Sequence, residues 1–209
     1  MRQTRALLIR HAAPEDAARG RCYGRLDVRL SPEGLEQAGA LAERLRAIAL
    51  AAVYTSPSRR AEQTAAAVCA GRDLAPVARD GLAELDFGDF EGRTYAELEA
   101  EQADFFRRWM TSPTEVRFPR GESYAQLRDR AASTLDELRV AHPDETFAVV
   151  THGGVLRAML ATLLHLPADR AFALDVGYQR VSVVDWFDET PVVRLVNGAA
   201  ADVPAQLAG

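Results

Sequence analysis

The chain has 209 residues, 48% of them apolar, and a net charge of −5 spread over both signs. That supports one substantial core, so a single domain over residues 1–209 is expected, and it excludes the coherent basic face that nucleic acid or an anionic membrane would need. No apolar run is long enough to span a bilayer, and residues 1–10 lack the layout of a signal peptide, which makes a cytoplasmic protein with reduced Cys22 and Cys69 the expectation.

The first apolar run, Ala6-Leu7-Leu8-Ile9, has the length and flanks of a buried parallel strand and ends in Arg10-His11. After a Gly/Arg-rich loop over residues 12–30, Ser31-Pro32 reads as an N-cap and first helical position. Leu35, Ala38, Leu41, Ala42 and Leu45 then form a helical stripe to about residue 47. Ala52-Val53-Tyr54-Thr55-Ser56 is a short second strand that delivers Ser56 and Arg60 to a helix ending near residue 70, and residues 76–78 make a weaker third strand. Turn signals at Gly88, Gly92, Pro113 and Pro119 break the alternation over residues 82–121 around one or two short helices. That stretch with Tyr124 holds eight of the fifteen aromatics, and an insertion of this length reads as a lid whose rings serve either a flat ligand or a small core of their own.

Ser123-x-x-Gln126 is a capping box opening a helix with the stripe Leu127, Ala131, Leu135 and Leu138, which closes before His142-Pro143. The run Phe147-Ala148-Val149-Val150 is a further strand, ending in Thr151-His152-Gly153-Gly154 before a leucine-rich helix over about residues 155–164. Residues 181–187 and 192–196 read as a hairpin joined through Asp188-Glu189-Thr190-Pro191 at a sheet edge, a surface on which a homodimer could also pair. From Asn197 onward the composition predicts a frayed end. The alternation as a whole predicts an α/β fold with a mainly parallel, doubly wound sheet and an antiparallel edge strand.

Ligands in such sheets collect beyond the carboxyl ends of the strands. Three of those ends carry Arg10-His11, Ser56 with Arg60, and Thr151-His152-Gly153-Gly154, so two of the four histidines face one crevice. The chain contains no lysine, which excludes Schiff-base chemistry and a P-loop and leaves arginine to build any anion site. Two forked guanidinium groups, two imidazoles and exposed amides at a helix N-terminus suit a phosphate. A cysteine phosphatase is excluded because the residues six positions after Cys22 and Cys69 are Val28 and Ala75 rather than arginine. With no Asp-x-Asp, His-x-His or His-Glu-x-x-His, no metal and no cofactor is expected, and histidine is the remaining nucleophile for a phosphoryl group.

The residues resemble the histidine phosphatase superfamily, also described as phosphoglycerate mutase-like, over roughly residues 5–190. The resemblance rests on Leu8-Ile9-Arg10-His11, on the run from Thr55-Ser56-Pro57-Ser58-Arg59-Arg60 to Ala65, on Leu82-Ala83-Glu84-Leu85-Asp86 through Gly92, and on Thr151-His152-Gly153-Gly154-Val155-Leu156-Arg157. It implies a three-layer α/β/α fold in which His11 becomes a phosphohistidine. Arg10, Arg60 and His152 would hold the phosphoryl oxygens with Gly153, and Glu84 would donate the proton, with Glu91 as its local rival. A neutral His11 and a protonated Glu84 imply a bell-shaped rate profile with a mildly acidic to neutral optimum. The sequence departs from the family at Ala12-Ala13-Pro14-Glu15, where relatives carry Gly-Glu-Thr and then asparagine, leaving Arg19, Arg21 or Arg25 to substitute.

Within the family, Cys22-Tyr23-Gly24-Arg25-Leu26-Asp27 resembles the α-ribazole phosphatase branch most, which implies a small-molecule phosphate ester as substrate and Tyr23, Gly24 and Arg25 among its contacts. A broad sugar or nucleotide phosphatase, a phosphoglycerate mutase-type phosphoryl transfer and, from another class, a non-catalytic phospholigand-binding module remain the alternatives.

Overall fold

In the computed structural model, which describes residues 3–203, the anticipated strands and helices form in their expected order. Along the chain come β1 (Thr4–Arg10), α1 (Pro32–Leu45), β2 (Ala52–Thr55), α2 (Arg59–Cys69) and β3 (Pro76–Ala78). The insertion contributes α3 (Tyr95–Glu101) and α4 (Ala103–Thr111), and α5 (Tyr124–Ala141), β4 (Thr146–Thr151), α6 (Gly153–Leu163), β5 (Val181–Phe187) and β6 (Thr190–Gly198) come after it. The caps read from the sequence hold the helix ends. Ser31 Oγ accepts from Gly34 N–H with Pro32 opening α1, and Ser123 and Gln126 close a reciprocal capping box on α5.

The six strands form one mixed sheet in the order β3-β2-β4-β1-β5-β6. Strands β3, β2, β4 and β1 run parallel, while β5 is antiparallel to β1 and β6 to β5. Period-two alternation along the central strands supplies both faces. Leu7, Ile9, Val53, Ala148 and Val150 pack with Leu41 and Leu45 of α1 and Ala61, Ala65 and Val68 of α2. Ala6, Leu8, Phe147 and Val149 pack with Leu127, Ala131 and Leu135 of α5 and Val155, Leu156 and Met159 of α6. This is the three-layer, doubly wound arrangement. Leu7 and Leu8 are wholly buried on opposite faces, so truncating either to alanine costs roughly 2–5 kcal/mol. Because the helix after β1 lies on one face and the helix after β4 on the other, the chain diverges between these two neighbouring strands and leaves a crevice at their carboxyl ends.

Two local expectations are corrected. The hairpin turn is shorter than expected, because β6 already begins at Thr190 and Asp188 adopts a positive φ of 54° that lets a tight connection reverse the chain. Pro191 sits inside that edge strand, where the missing N–H leaves no ladder bond unmade. The predicted fraying from Asn197 is not found through residue 203. Asn197 Oδ1 accepts from Gly177 N–H at 2.6 Å, its Nδ2 donates to Asp175 at 2.8 Å, and Val203 is fully buried. The remainder of that stretch, 204–209, lies outside the described residues. In the insertion, Phe90, Leu98, Trp109, Val116 and Phe118 form a separate small core with Cys22, its rings meeting mostly edge to face. Among the described residues no helix is long and apolar enough to cross a membrane.

Candidate active site

The parallel register pairs Arg10 with Thr151, so β1 and β4 end side by side and His11 and His152 leave them together. Their rings lie 5.1 Å apart between centroids, both buried. The Nδ1–H of His11 donates to the carbonyl of Ala12 at 2.7 Å, which fixes that tautomer for the neutral ring and leaves the lone pair on Nε2. Burial and then the positive charges of Arg60 and Arg10 hold His11 well below the usual histidine pKa. His152 is the N-cap of α6 and is depressed likewise, by burial first and then by Arg60, His11, Arg10 and Arg130. Its Nε2 lies 2.8 Å from Ser56 Oγ and 3.2 Å from Ser58 Oγ.

Arg10 and Arg60 are each fixed at one end. Arg10 Nη1 donates to Val176 O at 2.6 Å, and its guanidinium lies 4.0 Å from the ring centroid of Tyr178. Arg60, wholly buried near the start of α2, donates to the carbonyls of Leu26 at 3.1 Å and Gly24 at 2.9 Å, with the Tyr23 ring 5.0 Å away. No carboxylate lies within ion-pair distance of either guanidinium among the described residues, and burial lowers Arg60 against the pull of Glu84, Tyr23 and Glu91. Three buried nitrogens in this cluster, Arg10 Nε, Arg60 Nε and His152 Nδ1, have no hydrogen-bond partner among the described residues. Buried polar atoms are almost always paired, so a group of orphaned nitrogens around one neutral imidazole describes a cradle for a ligand that accepts hydrogen bonds, above all an anion.

Glu84 reaches the same crevice from the loop after β3. Its carboxylate accepts from Gly154 N–H at 3.0 Å and from its neighbour Leu85 N–H at 2.9 Å, which seats it on the positive end of α6. The glycines after His152 permit this approach, because a Cβ on Gly154 would collide with Glu84 Oε1 and one on Gly153 would lie 3.4 Å from the Arg10 guanidinium carbon. Arg130 of α5 pins the loop from behind, donating to the carbonyls of Gly81, Ala83 and Glu84 and pairing with Glu122 at 2.8 Å. A pocket of about 200 Å³ opens over the cluster, lined by Arg10, His11, Glu84, Gly153 and Gly154 at its base and by several aromatic rings from the insertion and from α5.

The structure thus brings together His11, His152, Arg10, Arg60, Glu84 and Gly153, and Tyr23 lines the pocket beside them. Gly24 acts through its backbone: its carbonyl holds Arg60, and a Cβ there would strike Leu85 O. Arg25 is not brought in. Its side chain turns 3.9 Å from Glu122, and its backbone N–H donates to Glu91 Oε1, whose anchoring role against Phe87 and Arg25 also takes Glu91 away from the pocket. Of the arginines that could substitute for the missing asparagine, Arg21 lines the pocket, whereas Arg19 pairs with Asp16 at the surface. Tyr178, Phe172 and Arg157 join the site without having been expected there from the sequence, while Tyr124, counted with the aromatics of the insertion, lines the pocket from α5. Arg157 alone carries a readable signal, standing four residues after Gly153 and therefore on the same helix face. Tyr178 and Phe172 come from the aperiodic connection between α6 and β5, where no pattern marks a direction.

The chain is 32% identical over 191 residues to phosphoserine phosphatase 1 of Hydrogenobacter thermophilus, covering 91% of this chain and 90% of that one. It is 35% identical over 161 residues to the metal-independent phosphoserine phosphatase of Arabidopsis thaliana, covering 75% and 67%. Among solved structures, the α-ribazole phosphatase from Shigella flexneri superposes with a TM-score of 0.84 at 28% identity, over 93% of this chain and 96% of that one. Residues 6–198 match the profile of the histidine phosphatase superfamily, branch 1. With the match running from the first core strand to the end of the last, the chain belongs to that superfamily and is a phosphatase of the phosphoglycerate mutase-like fold.

Proposed function

We propose that the chain hydrolyses a small-molecule phosphate monoester through a phosphohistidine on His11, without a metal ion. The observation that carries this is the set of three buried nitrogens, Arg10 Nε, Arg60 Nε and His152 Nδ1, unpartnered among the described residues and gathered about an imidazole kept neutral by its surroundings. Phosphoryl transfer passes through a loose state with charge on the equatorial oxygens, so fixed donors supply most of the catalysis. In the first step Nε2 of His11 bonds to phosphorus while the ester P–O bond breaks, and the departing oxygen takes a proton from Glu84. In the second, water attacks phosphorus, Glu84 takes its proton, and the N–P bond breaks to release phosphate and restore neutral His11. Burial, and then the charges of Arg60 and Arg10, keep His11 unprotonated below the usual histidine range, which carries the acid limb of the rate profile with it.

The name of the Shigella relative and the rings of Phe87, Tyr95 and Trp109 along the pocket favour a second reading of the substrate, a nucleoside ester such as α-ribazole 5′-phosphate stacked on one of these faces. The test is phosphate release in the presence of chelator from a panel that includes this ester, O-phosphoserine and 3-phosphoglycerate. Release by wild type that vanishes in His11→Ala is the expected result. Release that needs added metal, or that survives the substitution, would overturn the mechanism.

A further inference from the structure

One part of the pocket lining carries two polar groups for which the hydrolytic step has no use. Arg157, on the first turns of α6, is held by one nitrogen only: its Nε donates to Leu174 O at 3.0 Å. Its two terminal nitrogens hydrogen-bond to nothing among the described residues, and no carboxylate lies within ion-pair distance. Beside it Tyr124, 3% exposed and at the start of α5, has a buried Oη without a partner among the described residues. Phe172 stands against both, its ring 5.6 Å from that of Tyr124 and 5.8 Å from the Arg157 guanidinium carbon. All three line the pocket over His11.

Neither group is placed there cheaply. Arg157 shares its surroundings with Arg10, and burial together with that like charge lowers its pKa, with Glu84 and Asp175 opposing from a distance. Burial pushes the Tyr124 phenol up to about 12, so it is an O–H donor throughout the working range. A cation with an idle forked edge and an idle phenol, on one wall of a site whose base already holds the phosphoryl donors, call for a second acceptor on the ligand. A carboxylate meets both at once: it is planar, anionic and offers two oxygens, one for the guanidinium edge and one for the phenol.

We propose that Arg157 and Tyr124 form a carboxylate subsite, so that the preferred substrate is a phosphate ester of a small hydroxy acid. The specificity lies in the leaving group, and the assignment rests on the phosphatase reading above for its substrate role. Glycerol 3-phosphate and 3-phosphoglycerate are a matched pair of probes, differing by a hydroxymethyl group against a carboxylate. Binding is measured calorimetrically on His11→Asn, which cannot form the intermediate but whose amide can still donate to Ala12. In parallel, kcat/KM of both compounds is measured on the wild type.

A hydrogen-bonded charge contact corresponds to roughly ten- to a hundredfold in affinity, and the carboxylate compound is expected to bind more tightly by that factor. Arg157→Met in the same background brings the two dissociation constants together, and Tyr124→Phe, which removes one oxygen and little packing, narrows the gap severalfold. Equal binding of the pair, or an Arg157→Met loss that falls equally on both, overturns the subsite, the latter by assigning Arg157 to the phosphoryl cradle. Discrimination in binding with no turnover by wild type supports the subsite and overturns the phosphatase reading instead, so the two failures are distinct.

Discussion

Two imidazoles buried neutral beside two guanidinium groups make the stability of this protein depend on pH in a way that can be worked out. Histidine in the unfolded chain titrates near 6.5, whereas His11 and His152 lie well below that in the fold, because of burial, Arg60 and Arg10. Below about pH 6.5 the unfolded chain therefore binds protons that the folded chain does not. Stability is fully present above that pH and falls as the solution is acidified, until each ring reaches its folded pKa. The limiting slope is about 1.4 kcal/mol per pH unit for each ring, so about 2.7 for the pair. Depressed carboxylates such as Glu122 and Asp185 add loss only at lower pH, and the raised Glu91 works in the opposite direction above its usual value. The contribution of the rings is isolated by difference.

His11→Asn keeps a donor for Ala12, and His152→Gln keeps a polar group toward Ser56, so each removes one titration with little loss of contacts. Urea unfolding in phosphate-free buffer between pH 5 and 7.5 should show each variant losing stability less steeply than wild type, by about 1.4 kcal/mol per pH unit at the acid end. Slopes equal to that of wild type would show that the rings are charged or hydrated in the fold, and would remove the electrostatic basis for a neutral nucleophile.

Two further outcomes test separate parts of the molecule. Glu84→Gln removes the proton donor and should lower kcat/KM for an alkyl phosphate by roughly 10²–10⁴, but for p-nitrophenyl phosphate by much less, because that leaving group departs without a proton; equal losses would exclude Glu84 as the acid. Asp185 is wholly buried and paired with Arg5 and Arg194, each at 2.9 Å to Oδ2, so Asp185→Asn should destabilise the fold by about 3–5 kcal/mol in urea, leaving kcat of the folded protein intact. A cost below about 1 kcal/mol would mean that water reaches the pair.

The legibility of this fold in its sequence divides along physical lines. Strands and flanking helices declare themselves because both sheet faces are buried, so the apolar runs are continuous and the stripes have a fixed period. The residues at the strand ends are legible too, since their position is tied to those runs. Arg25 goes the other way because a loop arginine has several anions within reach, and here Glu122 holds it. Tyr178 and Phe172 enter the site from a connection whose course is set by contacts distant in sequence, such as Gly177 to Asn197, which leave no local trace. Small polar residues predict fraying at Asn197, but one asparagine there bonds two segments and Val203 fills a core position, so tertiary contacts override composition.

The precision of the site is inherited from the core rather than built locally. Arg10 pairs with Thr151 because Leu7, Ile9, Ala148 and Val150 face one helix layer while Ala6, Leu8, Phe147 and Val149 face the other. A slip of one residue between β1 and β4 would send each set to the wrong layer, exchanging Leu8 for Leu7 and Phe147 for Ala148 in two packed interiors. That cost fixes the register, and the register fixes how far apart His11 and His152 leave the sheet. Each histidine is also tied through its own backbone: the N–H of His11 donates to Thr151 O at 2.9 Å, and the carbonyl of His152 accepts from Leu156 in the first turn of α6. The cradle can therefore leave its nitrogens unpaired and its like charges adjacent, because the interactions that hold them in place lie in the buried layers beneath, where no ligand is needed to complete them.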